Sequence, residues 1–228
     1  LRSLAAHGRM MLELAPQNPY GLTLALPLIA AAGALGCGVE AARQLGLAHP
    51  NSAHGLGAII TRTTTLRAQR ARPLPELVET PGGVVALGLA HNPGLRAVQE
   101  RFAPVWAAWT QLPVIVSVAA ADARELTELI GALEQIEPGV IAGVEVNLAL
   151  CGALGFSDAT GLARAARRAL MPPLLVNLPI DTPDLPTLAR ALIAEGVDAL
   201  VVGVGPQAAV PGADGVLRSG RLSGPAVR

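Results

Sequence analysis

Short apolar runs recur along the chain, and amphipathic segments separate them. The runs cover residues 27–33, 56–63, 112–120, 140–149, 172–180 and 198–205. Each run is nearly continuous in hydrophobicity, as expected for a strand that is covered on both faces. The segments at 122–136, 158–170 and 182–196 have helical periodicity, and the last predicts Thr182 as the N-cap with Pro183 at the first helical position. Strands that alternate with helices predict a parallel sheet.

The first thirty residues predict a different local structure. Residues 11–14 and 16–28 read as two short strands around the turn at Asn18 and Pro19. The apolar run at 21–39 is long, but Pro27 interrupts it and no basic segment with a cleavage site precedes it. We therefore interpret it as a buried strand followed by a loop, and expect no membrane association.

Both a closed barrel and an open doubly wound sheet agree with this alternation. Polar residues follow the apolar runs at Arg62, Asn147 and Asn177, which favours a (β/α) barrel with a site at the carboxyl ends of its strands. A (β/α)8 TIM-barrel contains eight strands, whereas about six main strands are found after the N-terminal β-hairpin. The sequence thus predicts a single domain over residues 1–228 that is C-terminally incomplete.

Composition narrows the range of partners. The chain has 228 residues, 51% of them hydrophobic, and 17 basic residues balance 17 acidic ones. The chain has no net charge that would attract nucleic acid, and the local cluster of arginines at 62, 67, 70 and 72 is best interpreted as a solvated loop. The two cysteines, Cys37 and Cys151, lack disulfide or zinc spacing, which predicts a reducing, cytoplasmic setting and no metal.

Several stretches together resemble one known family. Residues 27–38 resemble an Ala-Ser-Gly flavin turn, and residues 58–94 resemble segments with the patterns T-K-T-T-T, V-E-T-P and Q-N-P-G. VEVNLALCG lies where the family has E-L-N-x-S-C-P-N, and GRLSGPAVR lies where it has G-G-L-S-G-P-A. On these motifs the chain resembles a class 1 dihydroorotate dehydrogenase.

The resemblance implies a fold, a cofactor and a reaction. It implies an FMN-dependent (β/α)8 barrel flavoprotein that oxidises dihydroorotate to orotate in pyrimidine biosynthesis. In this family a cysteine after strand 4 takes a proton from the substrate while hydride passes to the flavin. The residues implied to bind the cofactor are Ala31, Gly33, Arg62, Thr63, Asn147, Asn177, Ser223 and Gly224. Substrate contacts are implied for Arg62 and Asn147.

Many positions depart from the family pattern. Leu150 occupies the place of the catalytic cysteine, and Cys151 lies one residue beyond it. Cys151 is the candidate base, but the sequence favours a buried or loop cysteine without a catalytic role. The other departures are Ala32, Arg62, Ala86, Gly152, Asn177, Val204 and Gly205, where the family has serine, lysine, asparagine, asparagine, lysine, asparagine and threonine.

Minor candidates have simpler interpretations. The glycine-rich segment 33–38 lacks the full dinucleotide fingerprint, which favours a tight turn. His91 fits either a pocket or solvent, and Asp181 and Asp184 fit a loop and a helix start.

Two functions remain open from the sequence. The first is a flavoenzyme with a degraded active site, and the second is a non-catalytic barrel relative that serves as a structural or partner-binding subunit. An incomplete barrel exposes strand edges, so we also expect either a homo-oligomer or a partner subunit to cover them.

Overall fold

The computed structural model describes residues 11–46, 55–70, 77–87, 91–109, 112–151, 155–212, 215–225 and 227. The strands in these ranges are β1 Leu12–Glu13, β2 Thr23–Leu24, β3 Ile29–Ala30, β4 Ala58–Ile60, β5 Leu77–Thr80, β6 Gly83–Ala86, β7 Val114–Val118, β8 Gly143–Asn147, β9 Leu174–Pro179, β10 Ala199–Val204, β11 Gln207–Pro211 and β12 Leu217–Ser223. The helices are α1 Val39–Leu45, α2 Leu95–Ala97, α3 Ala103–Trp106, α4 Ala123–Leu133, α5 Phe156–Ala169 and α6 Leu185–Ala194, and a π-helical turn, Val98–Phe102, joins α2 to α3.

Six strands form one curled parallel sheet in the order β10-β9-β8-β7-β4-β3. Each strand coincides with one of the six apolar runs, so the prediction of a partial (β/α) barrel is confirmed. The first two strands are shorter than the runs that predicted them. One helix lies between each pair of consecutive strands from β7 to β10, which is the element order of parallel βαβ units.

The two faces of this sheet bury different residues. Alternate side chains such as Val116, Val146 and Val176 pack outward against the helices, and their neighbours Ile60, Ile115 and Leu175 point into the barrel. This alternation follows from the two-residue period of a strand. The core is therefore double, with one layer between sheet and helices and another inside the barrel.

The N-terminal hairpin closes the barrel interior at the amino ends of the strands. As predicted, β1 and β2 pair antiparallel around a turn at Asn18, and Leu22 and Leu24 join the interior layer. The backbone passes close to the barrel at Gly57, where a Cβ atom would lie 1.9 Å from the carbonyl oxygen of Leu26. Only glycine fits at this position, because any Cβ atom would overlap the Leu26 carbonyl oxygen.

A second sheet was not predicted. It is antiparallel, with the order β11-β12-β6-β5, and it pairs residues that are far apart in sequence, such as Arg221 with Ala86. Gly205 lies directly beneath β12, since a Cβ there would meet the Leu222 carbonyl oxygen at 1.9 Å. This sheet stands at the carboxyl ends of the barrel strands and forms one wall of the site described below.

The start of α6 differs from the prediction. The helix begins at Leu185 with Asp184 at the N-cap position, so the assignment of Thr182 and Pro183 was wrong. The Thr182 hydroxyl donates instead to the carbonyl oxygen of Pro179 over 2.7 Å. The Thr182 hydroxyl thus forms a local turn instead of capping the helix. Threonine side chains often bond to nearby backbone carbonyl groups in this way.

The start of α4 offers a test of local stability. Asp122 Oδ1 accepts from the backbone N–H of Glu125 over 2.8 Å, and Glu125 Oε2 accepts from the Ala121 N–H over 2.7 Å. Asp122→Ala is expected to lower the free energy of unfolding by about 1 kcal/mol, because it leaves a helix N–H without its cap. Asp122→Asn retains the acceptor and serves as the control in urea unfolding. Equal stability of the alanine variant and the wild type would contradict this assignment.

Candidate functional site

A cavity of about 540 Å³ opens at the carboxyl ends of the barrel strands. Its volume lies within the usual range for small-molecule sites. The walls come from the turn after β3, the segment after β4, the loop after β8, strands β9 and β10, and the antiparallel sheet. The lining residues are Ala31, Ala32, Gly33, Arg62, Thr63, Ala86, His91, Asn147, Ala149, Leu150, Asn177, Val201, Val202, Gly203, Val204, Gly205, Arg221 and Ser223.

A buried carboxylate lies beneath the cavity. Glu145 projects inward from β8 and is completely buried, with 0% of its surface exposed. Its Oε1 accepts from the Ser117 hydroxyl on β7 over 2.7 Å, and its Oε2 accepts from Asn177 Nδ2 on β9 over 3.3 Å. No ion pair to Glu145 occurs within the described ranges. The side-chain hydrogen bonds that stabilise the Glu145 carboxylate therefore come from two neutral donors.

The hydrogen bonds continue from Ser117 back to the cavity. Ser117 Oγ lies 2.9 Å from Thr63 Oγ1, and Thr63 Oγ1 lies 3.0 Å from Asn147 Nδ2. An ionised carboxylate can only accept, so Ser117 must donate to Glu145. The Thr63 hydroxyl must then donate to Ser117, and Thr63 accepts from the Asn147 amide. When Glu145 is ionised, the chain from Asn147 to Glu145 thus has one direction.

Two polar atoms in this layer have no partner among the described residues. Asn147 Oδ1 and Asn177 Oδ1 are both buried and make no hydrogen bond. Their residues are directly paired on adjacent strands, and both line the cavity. A buried amide oxygen without a partner is unfavourable by about 1–3 kcal/mol. The pair therefore fits a ligand that presents N–H or O–H donors.

Two arginines and a histidine stand above this layer. Arg62 Nη1 lies 3.3 Å from His91 Nδ1. On the opposite wall, Arg221 Nη1 donates to Asp181 Oδ1 over 3.0 Å and to the Gly205 carbonyl oxygen over 3.3 Å. The Gln207 backbone N–H and then the Arg221 charge lower the pKa of Asp181. Cationic side chains at the mouth suit an anionic ligand.

Most of the predicted cofactor residues come together in this cavity. Those that line it are Ala31, Gly33, Arg62, Thr63, Asn147, Asn177 and Ser223. Gly224 is not part of the lining. A Cβ there would approach Gly83 Cα at 2.9 Å, so Gly224 supports the pairing of β12 with β6. His91 is exposed but borders the cavity, and Gly152 lies outside the described residues.

The proposed base, Cys151, does not reach the cavity. Its side chain is 8% exposed and packs in the apolar layer outside the barrel, where its thiol donates to the Asn147 carbonyl oxygen over 3.3 Å. Burial raises the pKa of Cys151, which disfavours the thiolate. Leu150, at the position one residue earlier, is the side chain that lines the cavity.

Sequence reasoning did not identify three residues of the site. Glu145 and Ser117 lie within apolar runs, and their signal was a polar residue at inward-facing positions of neighbouring strands. Arg221 replaces the second glycine of the G-G-L-S-G pattern. This departure from the family pattern could have marked Arg221 as a residue of the site. Of the remaining arginines in the basic cluster, Arg67 and Arg70 are exposed to solvent.

Two kinds of feature are absent from the described part of the chain. No helix there has the length and apolar character needed to cross a membrane. Within the same residues, no three His, Cys, Asp or Glu side chains are grouped in a way that could hold a metal ion.

The fold and the cavity define a (β/α)-barrel protein with a small-molecule site at the carboxyl ends of its strands. Comparison with known proteins gives a narrower assignment. The sequence model of the family described as dihydroorotate dehydrogenase matches residues 15–228. The chain belongs to the dihydroorotate dehydrogenase family.

Curated relatives carry the same name. The chain is 36% identical to the dihydroorotate dehydrogenase B (NAD(+)) catalytic subunit of Desulforudis audaxviator, over 79% of this chain and 58% of that protein. It is 33% identical to the subunit of that name from Geobacillus kaustophilus, over 96% of this chain and 71% of that protein. The chain therefore spans about six to seven tenths of the length of these relatives.

A solved structure supports the fold. The ligand-free DHODH of Eimeria tenella superimposes with a TM-score of 0.65 at 17% identity, covering 98% of this chain and 70% of that one. At this identity the likeness establishes the barrel architecture.

The buried carboxylate predicts a dependence of stability on pH. Burial raises the pKa of Glu145, and the hydrogen bonds from Ser117 and Asn177 offset part of that rise. The folded protein thus holds this proton more tightly than the unfolded chain, whose Glu pKa is about 4.3. The stability due to this difference is present below that value and is lost as the pH rises through the folded pKa.

We expect the stability difference, Glu145→Gln minus wild type, to increase as the pH rises above about 4.3 and to level off above the folded pKa. Urea unfolding over a pH series measures both proteins. Subtraction removes the contribution of other carboxyl groups, such as Glu13 and Glu195, whose pKa values are lowered. A difference that stays constant with pH would show that the pKa of Glu145 is not raised.

Proposed function

We propose that this protein is an FMN-binding oxidoreductase subunit of the dihydroorotate dehydrogenase type, with a weakened catalytic site. The observation that carries the proposal is the pair of buried, unpartnered oxygens Asn147 Oδ1 and Asn177 Oδ1, which belong to two residues that line the cavity at the barrel mouth. Membership of the family supports both the cofactor and the substrate class. Dihydroorotate is the proposed substrate, and orotate is its product.

The cavity residues suit a flavin ring. The ring of FMN is planar and carries an imide N–H, which matches an unpartnered amide oxygen in the buried layer. The turn after β3 brings Gly33 within van der Waals distance of Arg62, with 3.6 Å between a Cβ placed on Gly33 and Arg62 Cα. When bound, FMN supplies the hydride acceptor.

The protein's own residues have three roles in this proposal. Asn147 and Asn177 bind and orient the ring N–H groups. Arg62 holds the carboxylate of the substrate or steadies the flavin. Arg221, held in an ion pair by Asp181, adds guanidinium N–H donors at the wall formed by the antiparallel sheet. Fixed donors and charges of this kind stabilise developing negative charge without reorganisation.

Proton removal is the weakened step. The thiol of Cys151 is buried away from the cavity, and Leu150 cannot accept a proton. A positioned general base typically contributes about 10²–10⁴-fold to a rate. We therefore propose slow oxidation of dihydroorotate. The same observation favours the second candidate function, a non-catalytic relative that retains a ligand-binding cavity.

The relatives suggest a partner. Those described above are named as catalytic subunits, and we propose that this protein likewise acts with a second subunit or as a homo-oligomer. Strand β10 forms one edge of the described parallel sheet, and Val202 on it is 52% exposed. Covering this edge would bury apolar surface.

The first experiment is a titration of the purified protein with FMN, followed by flavin fluorescence, with dihydroorotate then added without oxygen. Saturable binding and slow bleaching of the visible absorbance are expected, because the cavity retains its acceptors but lacks a positioned base. Binding without any bleaching would replace the enzyme by the non-catalytic relative. Absence of FMN binding would overturn the flavoprotein proposal.

A pair of variants tests the role of the thiol. Cys151→Ser should leave the rate of flavin reduction within about threefold of wild type, since loss of a true base costs about 10²-fold or more. Leu150→Cys places a thiol on the cavity wall and should raise the rate. Stopped-flow reduction measures both, with FMN affinity as the control for folding. A loss of about 10²-fold in Cys151→Ser would show that Cys151 is the base after all.

A further inference from the structure

The polar layer beneath the cavity has a property that the proposed function does not require. Its hydrogen-bond direction is set by one group, Glu145, and not by the residues that face the ligand. Glu145 has no contact with the cavity and is not among its lining residues. Its effect on a ligand must therefore pass through Asn147 and Asn177.

Glu145 orients each asparagine through the hydrogen bonds that it accepts. The bond to Asn177 is direct, and the path to Asn147 passes through Ser117 and Thr63. Asn177 turns its Nδ2 toward Glu145 Oε2 over 3.3 Å, so its oxygen points away from the carboxylate. Asn147 turns its Nδ2 toward Thr63, because the Thr63 hydroxyl is committed to Ser117 and Ser117 to Glu145. The result is two amide oxygens without partners, on residues that are 6% and 4% exposed.

We propose that Glu145 is a positioning residue that makes the floor of this cavity an acceptor surface, selecting planar rings with ureide or imide N–H groups. This role rests on the proposed function, and it specifies the class of ligand that the cavity binds. The pyrimidine ring of the substrate and the flavin ring both carry such N–H groups, and the two sources can be separated by experiment. A ring whose edge offers only carbonyl oxygens would leave both asparagine oxygens unsatisfied.

Replacing Glu145 by glutamine reverses one arm of the layer in either orientation of the new amide. If glutamine donates to Ser117, that hydroxyl must donate to Thr63, Thr63 to Asn147, and the Asn147 Nδ2 turns to the cavity. If glutamine instead donates toward Asn177, the Asn177 oxygen turns inward. In both cases one asparagine presents a donor to the cavity in place of an acceptor. The size of the side chain at position 145 is kept.

The test crosses this variant with N-methylation of the ligand. One arm titrates FMN and its 3-methyl derivative, and the other titrates orotate and its N-methyl derivatives. All titrations are run above the pKa of Glu145 that the unfolding series gives. The wild type should prefer the N–H form by at least about tenfold in the arm whose ring occupies the floor. Glu145→Gln should bind that form more weakly and show a smaller preference, because one of the two acceptors has become a donor.

A matched variant controls for the chemical change. Glu134→Gln makes the same substitution at the opposite end of the barrel, where Glu134 accepts from the Met171 backbone N–H and lines a separate cavity. It should keep the full preference. A purely structural role of Glu145 would weaken both ligand forms equally, and an undiminished preference in Glu145→Gln overturns the inference.

A readout without ligand separates this inference from the proposed function. The chain has five asparagines, so selective ¹⁵N labelling resolves their side-chain amides by NMR. The Asn147 and Asn177 amide protons should be slow to exchange in wild type and should shift in Glu145→Gln alone. If neither ligand binds the wild type, the proposed function and the ligand class fail together, whereas the shifts still decide the role of Glu145. Unchanged amides would overturn that role.

Discussion

One buried carboxylate determines how the upper interior of this barrel is built. Glu145 carries a potential charge at a site with no exposure and no ion-pair partner within the described ranges, and such a group is stable only if donors surround it. Ser117 and Asn177 provide them from the two adjacent strands. Together with Thr63 they join four neighbouring strand positions of the sheet in one polar layer. When Glu145 is ionised it can only accept, and this sets the direction of the hydrogen bonds that lead to it.

The period of the strands places this layer at the right height for function. Inward positions are apolar near the amino ends, as at Ile115 and Leu175, and polar one step further, as at Ser117 and Asn177. The hairpin at the amino ends packs against the apolar layer, and the antiparallel sheet at the carboxyl ends walls the polar one. The two-residue alternation thus separates inward from outward side chains. The change from apolar to polar inward positions along each strand gives the barrel a closed apolar bottom and an open polar mouth.

The sequence predicted the barrel well because its signals are local. Six continuous apolar runs and the helices between them follow from neighbouring residues, and the site residues Asn147 and Asn177 stood out as polar groups at strand ends. The antiparallel sheet could not be predicted in this way, since Arg221 and Ala86 pair across most of the chain. The start of α6 was missed because the Thr182 hydroxyl bonds to a preceding carbonyl. The orientation of Cys151 away from the cavity depends on how its loop packs, which a motif does not encode.

We propose that the ring of a bound ligand donates to the two asparagine oxygens at the floor of this cavity. A crystal structure of the protein with FMN and orotate would show these contacts. We expect a ring nitrogen within about 2.7–3.2 Å of Asn147 Oδ1 or Asn177 Oδ1, with both amide nitrogens still turned toward Thr63 and Glu145. A ligand held elsewhere, or one whose carbonyl oxygens accept from these amides, would contradict it.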